Sequence, residues 1–138
     1  MHDPNCIFCK LIKGEIPSFK IHENDKYLAI LDISQFTEGH TIVIPKNHVE
    51  FIWDVQEFAE YMEFCKKVAE HYKNLGYKYV DTFSWGRMIN HAHFHLVPHN
   101  GEESDYRKAL EGLGAMQRDA SRRPNKESGE EIVQKFRF

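Results

Sequence analysis

Three imidazoles alternate with apolar residues in His91-Ala92-His93-Phe94-His95-Leu96-Val97. If this run is a strand, its period of two puts all three on one face, with neighbours ~6 to 7 Å apart, and sends Ala92, Phe94 and Leu96 into a core. Imidazole titrates near pH ~6.5, so such a face can supply a nucleophile, a proton carrier, a cation or a metal ligand. A second reactive pair, Cys6-x-x-Cys9, has the spacing of a zinc knuckle or a redox dithiol. The pair opens the chain instead of following a strand in a βαβ pattern, which favours metal over a thioredoxin-type dithiol; buried thiols remain the alternative.

These side chains must be positioned by the elements around them. At 138 residues one domain can bury ~68% of the surface its unfolded form exposes, so no disulfide staple is required. The net charge of -3 argues against a general nucleic-acid or membrane-surface binder. No apolar leader or membrane-length run is evident, and three cysteines fit a reducing, cytoplasmic setting. Asn5 is expected to cap a short helix carrying Ile7, Phe8, Leu11 and Ile12 that ends at Gly14. Phe19 to Glu23, a turn at Asn24-Asp25 and Tyr27 to Leu31 read as a hairpin, and His40 to Pro45 as a further strand. Asp54-x-x-Glu57 resembles a capping box before a long helix whose apolar positions run from Phe58 to Leu75 and stop at Gly76. Cys65 falls on its apolar face. Tyr77 to Phe83 is expected to be a strand. From Gly101 the sequence turns polar: a weakly amphipathic helix through Tyr106, Leu110 and Leu113 or Met116, an exposed linker from Ser121 to Gly129, and an alternating end from Ile132 to Phe138 that reads as a strand or as an arm on a partner.

The pattern His-φ-His-φ-His-φ-φ, with φ apolar, resembles the signature of the histidine triad (HIT) family of nucleotide hydrolases and transferases. Three further blocks resemble that family in the same order: Cys6-Ile7-Phe8-Cys9-Lys10-Leu11-Ile12-Lys13-Gly14-Glu15-Ile16-Pro17, Leu31-Asp32-Ile33-Ser34, and Gly39-His40-Thr41-Ile42-Val43-Ile44-Pro45-Lys46-Asn47-His48. The likeness covers roughly residues 1 to 100, leaving 101–138 as a tail, loose or contacting a dimer partner. It implies an α+β fold, a five-stranded antiparallel sheet with a short N-terminal helix and one long helix, in a homodimer that binds a purine nucleotide.

The resemblance implies displacement at the α-phosphorus of a nucleoside phosphoramidate, an aminoacyl adenylate or a dinucleoside polyphosphate. His93 would be the nucleophile, forming a nucleotidyl-imidazole that water hydrolyses, and its other ring nitrogen should donate to a backbone carbonyl. His95 would hydrogen-bond the phosphate and, if protonated, offset its charge. Asp32 matches the ribose-binding carboxylate, and Ile7, Phe8, Leu11 and Ile33 match base-pocket positions. From the residues alone Asp32 also reads as a turn carboxylate, and the apolar four as core. Likeness to the bacterial branch adds His48 and His91 to Cys6 and Cys9 as ligands of a structural zinc, four ligands leaving no open position. His40 matches a position often filled by histidine, for support of the triad or for packing.

One block departs from the family pattern. Arg87 and Met88 stand where a Gln-Ser pair commonly supplies donors to the phosphate, so the hydroxyl is lost and the Arg87 guanidinium is the expected replacement. Its alternative is a surface arginine paired to Asp81 or a glutamate. Two other functions stay open: a metal-dependent hydrolase holding a catalytic ion on His91, His93 and His95, and a nucleotide-binding module with little turnover.

Overall fold

The computed structural model describes residues 2–138, which divide into two compact units, the first ending at Glu103 and the second spanning 104–138. In the first, five strands form one antiparallel sheet: β1 Lys20–Glu23, β2 Tyr27–Leu31, β3 Thr41–Pro45, β4 Tyr79–Phe83 and β5 Phe94–His99. Their order across the sheet is β1-β2-β3-β5-β4. Helix α1, Ile7–Ile12, and helix α2, Phe58–Asn74, complete the expected α+β architecture.

The central strands are covered on both sides, which is why β2 and β3 read as nearly continuous apolar runs. On one face Tyr27, Ala29, Val43 and Leu96 pack with Tyr61, Phe64, Cys65, Val68 and Tyr72 of α2. On the other, Leu28, Ile30, Ile42 and Ile44 pack with Cys6, Phe8 and Cys9. The buried Tyr61 hydroxyl donates to the Val43 carbonyl at 2.7 Å, and the Tyr72 and Thr41 hydroxyls bond each other, so both phenols keep a partner inside the core. Asn24 accepts from the amides of Lys26 and Tyr27 at 2.9 and 2.8 Å, closing the β1–β2 turn.

Several local expectations change. Cys6, not Asn5, occupies the N-cap position of α1 and makes no side-chain cap bond. Asp54 accepts from the Phe51 amide at 3.1 Å and closes a short 3-10 turn, Ile52–Asp54, instead of boxing α2, which starts after Glu57. The histidine run is only partly strand: β5 begins at Phe94. Pairing with β3 ends at Val43↔Phe94, because Pro45 has no amide to continue the ladder, and the Ala92 amide turns instead to the Val49 carbonyl at 2.7 Å. Within the second unit, α3 spans Ser104–Arg118, as the periodicity around Tyr106 and Leu110 suggests. The expected linker and terminal strand are replaced by a 3-10 turn, Ala120–Arg122, and by helix α4, Lys126–Phe136. Asn125 caps α4 by accepting from the Ser128 amide at 2.9 Å, and helix-favouring Glu and Lys residues outweigh the β-branched Ile132-Val133 pair.

Gly39 sets the entry to β3. Its φ is +92°, and an added Cβ would lie 3.1 Å from Pro98 Cγ. Gly39→Ala is therefore expected to cost about 1–2 kcal/mol, read as a lower urea midpoint with unchanged slope; an unaltered midpoint would contradict this role.

Candidate active site and metal centre

Two backbone carbonyls give the triad histidines opposite tautomers. A carbonyl oxygen can only accept, so His91, whose Nε2 is 2.8 Å from the Pro45 oxygen, carries its proton there and leaves the Nδ1 lone pair bare. His93 does the reverse: Nδ1 donates to the His91 carbonyl at 2.8 Å, and Nε2 is left with its lone pair. Among the described residues nothing hydrogen-bonds that nitrogen. The Ser84 hydroxyl donates to the His93 carbonyl at 2.8 Å, tying the β4–β5 connection to His93. The Phe8 ring meets both imidazoles edge-on, 5.8 Å from His91 and 5.2 Å from His93.

The bare Nδ1 of His91 faces the cysteines. It lies 3.3 Å from Cys6 Sγ and 3.6 Å from Cys9 Sγ, and His48 Nδ1 lies 3.4 Å from Cys9 Sγ. One donor atom from each of the four residues falls within 4.8 Å of the others. A zinc tetrahedron with Zn–S of about 2.3 Å and Zn–N of about 2.0 Å has sulfur-to-nitrogen edges of about 3.5 Å, so the four residues fit the ion. Spacing explains the arrangement: two residues of the first helical turn separate the thiols, His48 follows the Pro45 stop, and the Ala92–Val49 bond holds the His91 segment to the His48 loop. Burial pushes His91 down to about 4, which keeps it neutral, and burial raises the Cys9 thiol.

His95 points to a different set of partners. Its Nδ1 is 2.9 Å from His40 Nε2, and Asp32 Oδ2 is 3.7 Å from both nitrogens. A pair of zinc-bound nitrogens would stand about 3.3 Å apart, so this contact is a hydrogen bond and not a metal edge. His40 Nδ1 has two alternative partners, the Ser34 carbonyl at 3.0 Å and the Phe36 amide at 3.2 Å. Donation to Ser34 makes His40 Nε2 an acceptor and leaves a lone pair at His95 Nε2. Acceptance from Phe36 makes His40 Nε2 the donor and puts a proton on His95 Nε2. His95 can thus donate to a phosphate oxygen without being charged. Of the two forms left open for His95, its surroundings favour the neutral one: burial first, then His93 and His40, push it down to about 4.

The remaining expected residues divide. Asp32 acts as a turn carboxylate, one oxygen accepting from the Ser34 amide at 2.8 Å, while its other oxygen faces His40 and His95. Phe8 is buried, whereas Ile33 is 93% exposed and Ile7 47% exposed, so these two are not core residues; Leu11 is partly buried beside Phe8. Arg87 is exposed, and its expected alternative partner Asp81 instead meets His99 Nε2 at 2.9 Å. Among the described residues His91 groups with Cys6, Cys9 and His48, and His95 with Asp32 and His40, so the three triad histidines are not gathered into one metal-sized cluster. The sequence reading missed the aromatic group of Phe36, Phe83 and Trp85 around His95; the alternation of Phe83 and Trp85 was its only local signal.

Burial of His40 and His95 makes stability depend on pH. Both titrate below the ordinary imidazole value of 6.5 when folded, so the unfolded chain binds protons first as pH falls. Stability is expected to be full above about pH 6.5 and to decline toward pH 4, and His95→Asn should flatten that decline in thermal melts. A profile equally steep in the variant would contradict this assignment.

Comparison with known proteins gives the same grouping. The sequence model of the HIT domain matches residues 13–102. Adenosine 5'-monophosphoramidase HNT1 of Saccharomyces cerevisiae is 38% identical over 112 residues, 74% of this chain and 67% of that protein. Among solved structures, a HIT family protein from Bacillus anthracis matches with a TM-score of 0.77 at 32% identity, over 96% of this chain and 94% of that one. A Zn-bound histidine triad family protein from Mycobacterium smegmatis matches with a TM-score of 0.65 at 29% identity, over 81% of this chain and 97% of that one. With its sheet order, its histidine face and this coverage, the chain belongs to the HIT domain family.

Proposed function

We propose that the chain is a nucleotidyl hydrolase or transferase acting at the α-phosphorus of purine nucleoside phosphoramidates, aminoacyl adenylates or dinucleoside polyphosphates, through a covalent intermediate on His93. The observation that carries this reading is the bare Nε2 of His93, held by its Nδ1 bond to the His91 carbonyl. Similarity to the yeast adenosine 5'-monophosphoramidase supports a phosphoramidate as the first substrate to try. The Nε2 lone pair forms a bond to phosphorus and the phosphorus–nitrogen bond to the amine breaks. Water then attacks phosphorus and releases His93, so that one hydrogen of water ends on the amine and the hydroxyl on AMP. His95, next along the face with ring centroids 5.1 Å apart, donates to a phosphate oxygen in its neutral form. Arg87 supplies the charge that a Gln-Ser pair would not. Asp32 binds ribose, and Ile7, Phe8, Leu11 and Ile33 border the base. Three free thiols fit a cytoplasmic enzyme, which this reading takes to be a homodimer.

His93→Ala is expected to lower turnover of adenosine 5'-monophosphoramidate by about a thousandfold or more while AMP binding, measured by calorimetry, changes only a few-fold. Turnover retained without His93 would overturn the mechanism. The replacement of the phosphate-loop donors by Arg87 and Met88 favours one second reading, a binding module; wild-type chain that binds AMP and hydrolyses none of the three substrate classes would establish it.

Zinc on Cys6, Cys9, His48 and His91 is part of the same proposal, in a structural role that ties the N-terminal helix to the segment bearing His93. Elemental analysis is expected to give one zinc per chain, and Cys6→Ser with Cys9→Ser none, with a melting temperature lower by about 5 °C or more. Chelation should inactivate slowly, through unfolding. Instant loss reversed by added metal would contradict a structural role.

A further inference from the structure

Between His95 and the β4 edge lie aromatic rings that the chemistry above leaves unused. Phe83 is the register partner of His95 across β4 and β5, and its ring stacks on that imidazole, centroids 4.3 Å apart and planes 14° apart. Trp85, two residues on, stacks on Phe83 at 4.7 Å and 27° and lies 6.3 Å from His95. Phe36 stacks on Phe83 at 5.9 Å and also contacts His40 at 4.5 Å. Core rings would be covered, yet Trp85 is 59% exposed and Phe36 42% exposed.

The strand order gives these rings a direction. Asp32 follows β2, His40 precedes β3, His95 lies on β5 with His93 just before it, and Phe83 closes β4, so the groups stand in a row across the sheet. With the nucleoside on the Asp32 and Phe8 side and phosphorus at His93, in-line displacement places the departing group opposite the His93 nitrogen, which leaves the β4 side of the row open to it. On the β4 side of His95, Trp85 offers an exposed ring 6.3 Å from that imidazole. We infer that Trp85, backed by Phe83 and Phe36, forms a leaving-group subsite for planar aromatic substituents on phosphorus. This rests on the nucleotidyl-transfer reading above. Its physical basis is stacking: an indole with one face on Phe83 and more than half its surface in solvent offers a flat apolar platform to a ring and little to a small amine.

Two amides of AMP isolate the effect, the naphthylethylamide and the methylamide, because both release a primary alkylamine and differ in the naphthyl ring and the one methylene that carries it. Trp85→Ala is expected to lower kcat/KM for the naphthylethylamide at least about tenfold more than for the methylamide, and Trp85→Phe to restore most of the difference. Binding of both amides to the His93→Ala chain, with and without Trp85→Ala, reads the subsite without turnover. Active enzyme whose preference ignores Trp85 overturns the subsite alone. Absent turnover with Trp85-dependent binding of the naphthyl compound overturns the nucleotidyl-transfer reading and keeps the subsite. No binding of either amide overturns both. A variant that loses both amides alike and halves its mass in ultracentrifugation also overturns the subsite, by placing Trp85 between subunits.

Discussion

The bond from the His93 imidazole to the carbonyl of His91 is the constraint on which the rest of this site depends. Neutral imidazole has one proton for two nitrogens, so whichever nitrogen is tied to an acceptor decides what the other can do. His93 spends its proton on the backbone and turns a lone pair outward. His91, two residues earlier, spends its own on Pro45 and turns a lone pair toward two thiols. The same side-chain type, on the same face, is thereby committed to different work by backbone geometry alone.

Pro45 links these effects to the fold. It ends β3, and with no amide of its own it stops the β3–β5 ladder before the triad is complete. Its carbonyl is then available to His91, while Ala92 finds Val49. The segment 91–93 is consequently held by specific bonds to the loop after β3 instead of by regular pairing. His48 sits on that same loop. A cluster of four residues that fits a metal ion and a His93 ring held in one tautomer therefore arise from one interruption of the sheet, with Phe8 of α1 filling the space beside the His91 and His93 rings.

Much of this was legible in the sequence. The alternating histidines did share a face, since Ala92, Phe94 and Leu96 pack with the α2 core, and β2, whose bounds are Tyr27–Leu31, is a short apolar run stopped by turn residues. Less legible was anything requiring contacts between distant segments. Asp54 and Glu57 have capping-box spacing, but the Asp54 side chain reaches back to Phe51. Ile132 and Val133 suggest a strand only while the Asn125 cap and the charged helix formers around them are undervalued. The pairing of His40 with His95 joins residues 55 positions apart, and the aromatic group draws Phe36 from one loop and Phe83 and Trp85 from another part of the sheet. Spacing along the chain carries no record of such encounters.

Long-range proton–nitrogen correlation spectra of the nitrogen-15-labelled protein at neutral pH test the central claim most directly, because they report which nitrogen of each imidazole holds the proton. The account requires His93 protonated at Nδ1 with a bare Nε2, and His91 protonated at Nε2. A His93 carrying its proton on Nε2 in the resting protein would contradict it, since no lone pair would then face the position phosphorus must reach.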